Sequence, residues 1–376
     1  MHRTTSFKIF QIFGIEIRID YSWFIIFALI AYFFGFSYFP SILPNTKIYI
    51  IAIITIISAL LFFFSILFHE VSHSVVAIKN KIPVKRITLF VFGGIAQIEK
   101  EPDSAQKEFL ISIAGPLSSY FLALIFGLIW FFTKSIPEIN EPAKYLALTN
   151  IILGTFNLLP GFPLDGGRVL RSILWKSSKD YEKATLIATN VGRGIGFAII
   201  LWGVIYLFTA NFFNGIWLIF IGWFLQSSAS QSYSQIIIEK SLKGIKVKDV
   251  INTNIVTAPA NITVKEFVDN WFMKYPFGKF PVIDTENDDK YLGIVTLNDI
   301  KNLPQEKWDS TKVGEIVNIY IEEDKVDMDM ELYDAMKKLN DANISSLVVV
   351  ENSKIIGLLT KSDILKLIKV KSTLKI

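Results

Sequence analysis

Uninterrupted apolar runs recur along the first 238 residues of the chain and then stop. About 20 apolar residues in a helix cross the hydrocarbon core of a bilayer. Six such stretches are present, at 21–40, 50–73, 109–132, 144–167, 186–208 and 212–237. The fourth is the least regular, because two prolines and three glycines interrupt it between Asn157 and Arg168. Between the second and third, Val84 to Ile98 is rich in β-branched and aromatic residues and is divided by Gly93-Gly94. That pattern predicts an extended or hairpin segment, not a span. From Lys240 onward the rhythm changes to short apolar runs, such as Phe280–Ile283 and Leu347–Val350, between amphipathic stretches such as Leu332 to Leu339. Strands alternating with amphipathic helices predict a soluble α/β unit. The expected fold is a polytopic α-helical membrane protein with six transmembrane helices and a small β element over 1–240, followed by a soluble α/β pair.

The tail repeats itself. Tyr291-Leu292-Gly293-Ile294-Val295-Thr296-Leu297-Asn298-Asp299-Ile300 matches Ile355-Ile356-Gly357-Leu358-Leu359-Thr360-Lys361-Ser362-Asp363-Ile364, and Val247-Lys248-Asp249-Val250 answers Val313-Gly314-Glu315-Ile316. Two copies of one small module are expected, at 246–305 and 312–372.

Composition agrees with this division. The chain is 52% hydrophobic and holds 32 Phe, too apolar for an ordinary soluble enzyme. Positive charge orients the spans. The N-terminal segment and the connections after the second and fourth spans carry fourteen Lys and Arg, against three on the other side. Both termini are therefore expected in the cytoplasm, with the tail. No cleavable signal is expected, since the first apolar run is long and lacks a small-residue cleavage site. A net charge of +4 without a basic stripe argues against nucleic acid as a partner. Cys is absent, so any metal must be held by His and carboxylates.

The second span ends in Phe68-His69-Glu70-Val71-Ser72-His73. Residues four apart share one helix face, so both imidazoles reach one ion while Glu70 stands beside them. Ionisable groups at bilayer depth are costly, about 2.5–3.5 kcal/mol each on insertion scales, so a merely structural helix would not keep this cluster. A hydrolytic zinc site needs a third protein ligand. The best candidate is Asp165, in the broken fourth span, because irregular backbone at membrane depth survives only where it lines a cavity. Helix capping or pairing with Arg168 is the alternative use of that carboxylate.

His-Glu-x-x-His in one span, with Asn157-Leu158-Leu159-Pro160-Gly161-Phe162-Pro163-Leu164-Asp165-Gly166-Gly167-Arg168 in a later one, resembles the site-2 protease family of intramembrane metalloproteases. Phe92-Gly93-Gly94 and Ala114-Gly115-Pro116 are lesser marks of the same likeness. The resemblance implies one zinc per chain on His69, His73 and Asp165, with Glu70 as general base. It also implies Asn157 as a donor near the scissile carbonyl, with repair of broken backbone as its other possible use. Substrates would be membrane-spanning segments of other proteins, and the edge of the 84–98 segment is a candidate for pairing with an unwound substrate. Gly192 and Gly196 are candidates for close helix packing.

The repeated tail resembles a tandem pair of CBS domains, named after cystathionine beta-synthase. That likeness nominates Thr296, Asp299, Thr360 and Asp363 for an adenine nucleotide, and a homodimer through the pair. Helix capping by each Thr with its Asp is the structural alternative. A transporter or channel gated by CBS domains, and a scaffold whose tail only dimerises, are the competing functions.

Overall fold

The computed structural model describes residues 6–374, apart from 92, 99, 210–211, 318–324, 343 and 352–353. The chain divides into two compact units, Met1–Ser234 and Gln235–Ile376.

In the first unit, β1 (Ser6–Ile12) and β2 (Ile15–Asp20) form a hairpin turned at Phe13-Gly14, both with positive φ. Ile15, Ile17 and Ile19 are buried while Glu16, Arg18 and Asp20 alternate with them toward the surface. This period of two escapes a reading of the segment by charge alone. Asp20 then caps α1 (Tyr21–Tyr32), its Oδ1 accepting from the Ser22 N–H at 2.9 Å. A π-helical turn and α2 (Phe39–Ile42) extend α1 into one rod, Tyr21–Ile42.

After α3 (Ile48–Lys79), the chain makes β3 (Val84–Phe90) and β4 (Gly93–Ile98), antiparallel to each other. The 84–98 segment is thus the hairpin its composition predicts. β3 also runs parallel to β2, with Ile17 opposite Ile87, which gives one sheet of order β1-β2-β3-β4. Its inner face, Ile15, Ile17, Val84 and Ile87, packs on Ala77, Ile82 and Ile111. β4 is left as an edge.

The bundle continues with α4 (Ala105–Phe132), α5 (Pro137–Asn157), α6 (Asp165–Ser178), α7 (Tyr181–Thr209) and α8 (Phe212–Leu242). Among the described residues, five helices are long and apolar enough to cross a membrane: Tyr21–Ile42, α3, α4, α7 and α8. The stretch 144–167 does not form one helix. α5 ends at Asn157, residues 158–164 are non-helical, and a new helix begins at Asp165. Pro160 and Pro163 cannot donate to a helical ladder, so the break falls where they stand. The loop is instead bonded to α7, the Phe162 N–H donating to the Ala188 carbonyl at 3.3 Å. Gly161 lies so close to Gly192 of α7 that a Cβ would strike its backbone. Gly192 therefore seats this loop, whereas Gly196 packs against Gly222 of α8, where a Cβ would fall 2.7 Å from a carbonyl oxygen.

The second unit builds the same topology twice. β5 (Ala258–Pro259) pairs parallel with β6 (Lys279–Asp284), which pairs antiparallel with β7 (Lys290–Thr296). β8 (Lys325–Val326), β9 (Ser346–Glu351) and β10 (Lys354–Thr360) repeat that arrangement. The halves join through β7 and β10 into a sheet of order β5-β6-β7-β10-β9-β8. Helices α9 (Val264–Phe267), α10 (Leu297–Lys301), α11 (Val313–Ile316), α12 (Leu332–Asp341) and α13 (Lys361–Leu374) complete the unit. Each half has its own core, around Phe267, Phe280 and Val295 in one and Leu332, Leu347 and Leu359 in the other.

Candidate metal centre

α3 carries His69 and His73 on one face, 4% and 8% exposed. Their Nε2 atoms lie 3.2 Å apart, and each is 3.1 Å from Oδ2 of Asp165. Asp165 is the first residue of α6, 96 positions along from His69, so the broken fourth stretch delivers a carboxylate to the imidazole pair. These three residues form the only His/Cys/Asp/Glu group with metal-binding spacing among the described residues.

The second nitrogen of each ring is held. The His73 Nδ1–H donates to the Ile111 carbonyl at 2.6 Å. A carbonyl can only accept, so Nδ1 carries a proton and Nε2 is the nitrogen that faces the cluster. Ser119 Oγ lies 2.9 Å from Nδ1 of His69. Both partners come from α4, which also supplies room: a Cβ on Gly115 would strike Nε2 of His73 and come within 2.6 Å of Nε2 of His69. The Ala114-Gly115-Pro116 motif thus contributes an absence of side chain behind the two rings.

Glu70 is half-buried beside this group. Its Cγ backs onto Gly94 of β4, so closely that a Cβ there would lie 2.5 Å away. The open edge of the sheet therefore runs past the carboxylate expected to act as base. Of the other mark in that motif, Phe92 lies outside the described residues. Asn157, the last residue of α5, is half-buried.

One cluster escaped the motif reading. Arg171 of α6 and Glu108 of α4 are both buried, at 3% and 0% exposed, and the Arg171 Nε donates to Oε1 of Glu108 at 2.7 Å. Neither stands in a recognisable spacing, and 63 positions separate them.

In the second unit the four nominated residues divide. Oδ2 of Asp299 accepts from the Thr296 N–H at 2.8 Å and hydroxyl at 2.6 Å; Oδ2 of Asp363 does the same for Thr360 at 3.0 and 2.6 Å. The two carboxylates are helix caps. Thr296 and Thr360 also line a cavity of about 500 Å³, with Asn252, Asn254, Lys279 and Ser345, and no carboxylate among the described residues lines it.

Long apolar helices around His-Glu-x-x-His and a carboxylate from a broken helix define a metalloprotease that works inside the membrane. Comparison with known proteins gives the same class. The family model of peptidase family M50 matches residues 57–141 and 134–202, and that of the CBS domain matches 247–306 and 313–370. A Synechocystis protein named as a zinc metalloprotease is 33% identical over 367 residues, 96% of this chain and 95% of that protein. A zinc metalloprotease of Methanocaldococcus jannaschii is 31% identical over 365 residues, 96% of this chain and 95% of that one. Among solved structures, the site-2 protease from Methanocaldococcus jannaschii shares 31% identity over 60% of this chain and 94% of that chain, with a TM-score of 0.41. The chain belongs to peptidase family M50, the site-2 proteases, and carries a tandem pair of CBS domains. It is an integral membrane zinc metalloprotease, which sets aside the transporter and scaffold readings.

The donor set fits zinc. Ligands about 2.0–2.2 Å from a tetrahedral zinc stand roughly 3.3 Å from one another, and the three donor atoms here are 3.1 to 3.2 Å apart. Two nitrogens and one oxygen also leave the fourth position that a hydrolytic site needs.

Proposed function

We propose that His69, His73 and Asp165 hold one zinc per chain, and that Glu70 is the general base for hydrolysis of peptide bonds in membrane-spanning substrates. The convergence of the three donor atoms supports this most directly. When bound, zinc lowers the pKa of its water toward neutrality and polarises the scissile carbonyl. Glu70 takes one proton from the attacking water and returns it to the leaving nitrogen as the C–N bond breaks, giving a carboxylic acid and an amine. Asn157, at the C-terminal end of α5, donates to the oxygen on which charge develops.

A substrate helix hides its carbonyls in its own hydrogen bonds. The free edge of β4 offers replacement partners to an unwound segment and holds it across Glu70. The adjacency of Gly94 and Glu70 supports that arrangement. The membrane domain is assigned to 1–240 and the modules to 246–305 and 312–372. α5, 21 residues and about 31 Å long, serves as the sixth crossing, with both termini cytoplasmic. The cavity of the tail, mainly apolar with hydroxyl and amide groups among its lining, suits an adenine nucleotide, with Thr296 and Thr360 as contacts and Asp299 and Asp363 fixing them. The pair also serves a homodimer.

Metal analysis of the purified chain tests the central assignment. One zinc per chain is expected, with His69→Ala and Asp165→Ala losing most of it. Full occupancy in Asp165→Ala removes that residue from the ligand set.

A further inference from the structure

Asp165 is the first residue of α6, so its carboxylate goes where that helix goes. The anchor lies six residues on. Arg171 touches four parts of the fold at once. Its guanidinium is bonded to buried Glu108 on α4, through Nε at 2.7 Å and through Nη2 to the same oxygen. It lies 4.9 Å from the ring centre of Phe162, in the loop before α6, and 4.6 Å from that of Tyr181, at the start of α7. Its Nη2 is also 3.7 Å from Glu101, just beyond β4. Arg168, one turn closer to Asp165, is more exposed and stands 4.0 Å from Glu108.

Stability alone does not account for such a pair. Buried ion pairs can often be replaced by apolar residues of similar volume without loss, because desolvation offsets the attraction between the charges. What an apolar replacement lacks is direction. The guanidinium is a rigid planar fork, and two aromatic faces plus a fixed carboxylate leave it one orientation. A ligand set needs its members held within about 0.5 Å. Gly166 and Gly167 follow Asp165 directly and pack closely on the backbone of Leu158 and Gly161, so the start of α6 has no side chain of its own there to key its rotation.

We infer that Arg171, anchored by Glu108, is a positioning residue that sets Asp165 against the two imidazoles; this rests on Asp165 being the third ligand. The pair acts on the metal centre through helix orientation and touches no donor atom.

The test is zinc affinity of the full chain in lipid nanodiscs, by competition with a chelator, alongside the unfolding temperature of each zinc-free protein. The double variant Glu108→Leu with Arg171→Met removes both charges together. It is expected to unfold at or above the wild-type temperature and to bind zinc about tenfold more weakly, the lower end of what losing an outer-shell group costs a metal site. Wild-type affinity in that variant overturns the proposal, since a merely structural pair would leave the metal unaffected. Should the double variant not fold, Arg171→Lys keeps the charge but loses the fork and the ring stacking. It too is expected to bind zinc more weakly, and unchanged affinity overturns the proposal equally. Asp165→Asn separates the two levels. If it binds zinc as wild type does, the ligand assignment fails; if it loses zinc while the others keep it, only the positioning role fails.

Discussion

The His73 ring shows how an ordinary hydrogen bond prepares chemistry. Because its Nδ1–H is committed to the Ile111 carbonyl, the ring is fixed with its other nitrogen facing the cluster. Glu70 is proposed for a different task, and Glu70→Gln separates it from binding: zinc content is expected to stay at the wild-type level while kcat falls about 10²- to 10⁴-fold, the span associated with a general base. Parallel metal analysis and cleavage of a model substrate check both halves, and retained cleavage names the wrong base. The grouping of the three donor residues was legible in the sequence. The i, i+4 spacing gave the imidazoles, and a lone carboxylate amid helix breakers gave Asp165. Arg171 and Glu108 were not legible, because a pair formed across 63 positions leaves no periodic trace. Asp299 and Asp363 each hold the threonine of their own motif, which is the capping alternative that the sequence also offered.

Among the elements, β4 bears the most testable claim. In an antiparallel hairpin, successive residues turn their N–H groups alternately toward the partner strand and away from it. Ile95 and Ala96, opposite Thr88 and Ile87, are such a neighbouring pair. Of Ile95→Pro and Ala96→Pro, the one whose N–H faces the open edge is expected to keep its zinc and its fold. It should raise KM for a membrane-spanning substrate about two- to tenfold, the value of one hydrogen bond of about 0.5–1.5 kcal/mol. Wild-type KM in both variants shows that substrate does not pair here. The hairpin itself was legible from β-branched residues around paired glycines. The broken fourth span was legible as irregular, but not its division into α5, a loop and α6, which depends on contacts with α7. β2 carries a plain alternation of buried isoleucines with polar residues, but six residues are too short a run to stand out beside the spans.

At the scale of the whole molecule, the charge bias and the repeated tail yield two further expectations. The chain has no native cysteine, so single cysteines can be placed at will. A cysteine at Lys134 is expected to react with an impermeant probe from the non-cytoplasmic side only; reaction from the cytoplasm alone reverses the orientation. For the tail, added ATP or AMP is expected to change the cleavage rate of purified enzyme, and deletion of 246–372 to abolish that response. A ligand biases an equilibrium only by binding one form better than another. Measured binding with unchanged rate therefore leaves the modules as docking or dimerisation surfaces.

The parallel pairing of β2 with β3 also sets a rule of parity. Ile17 and Ile87 stand side by side in one sheet although seventy positions separate them, and that interval contains both the Tyr21–Ile42 rod and α3. Two strands can share a ladder only if they emerge on the same face of the bilayer. The chain between them must cross an even number of times, and two crossings satisfy this whatever the charges say. Timing follows from the same constraint. During synthesis β2 is made before either of these two spans, yet it finds its parallel neighbour only after the chain has gone across and come back. The sheet that lies against Glu70 is therefore closed late, as a seal on two spans already in place.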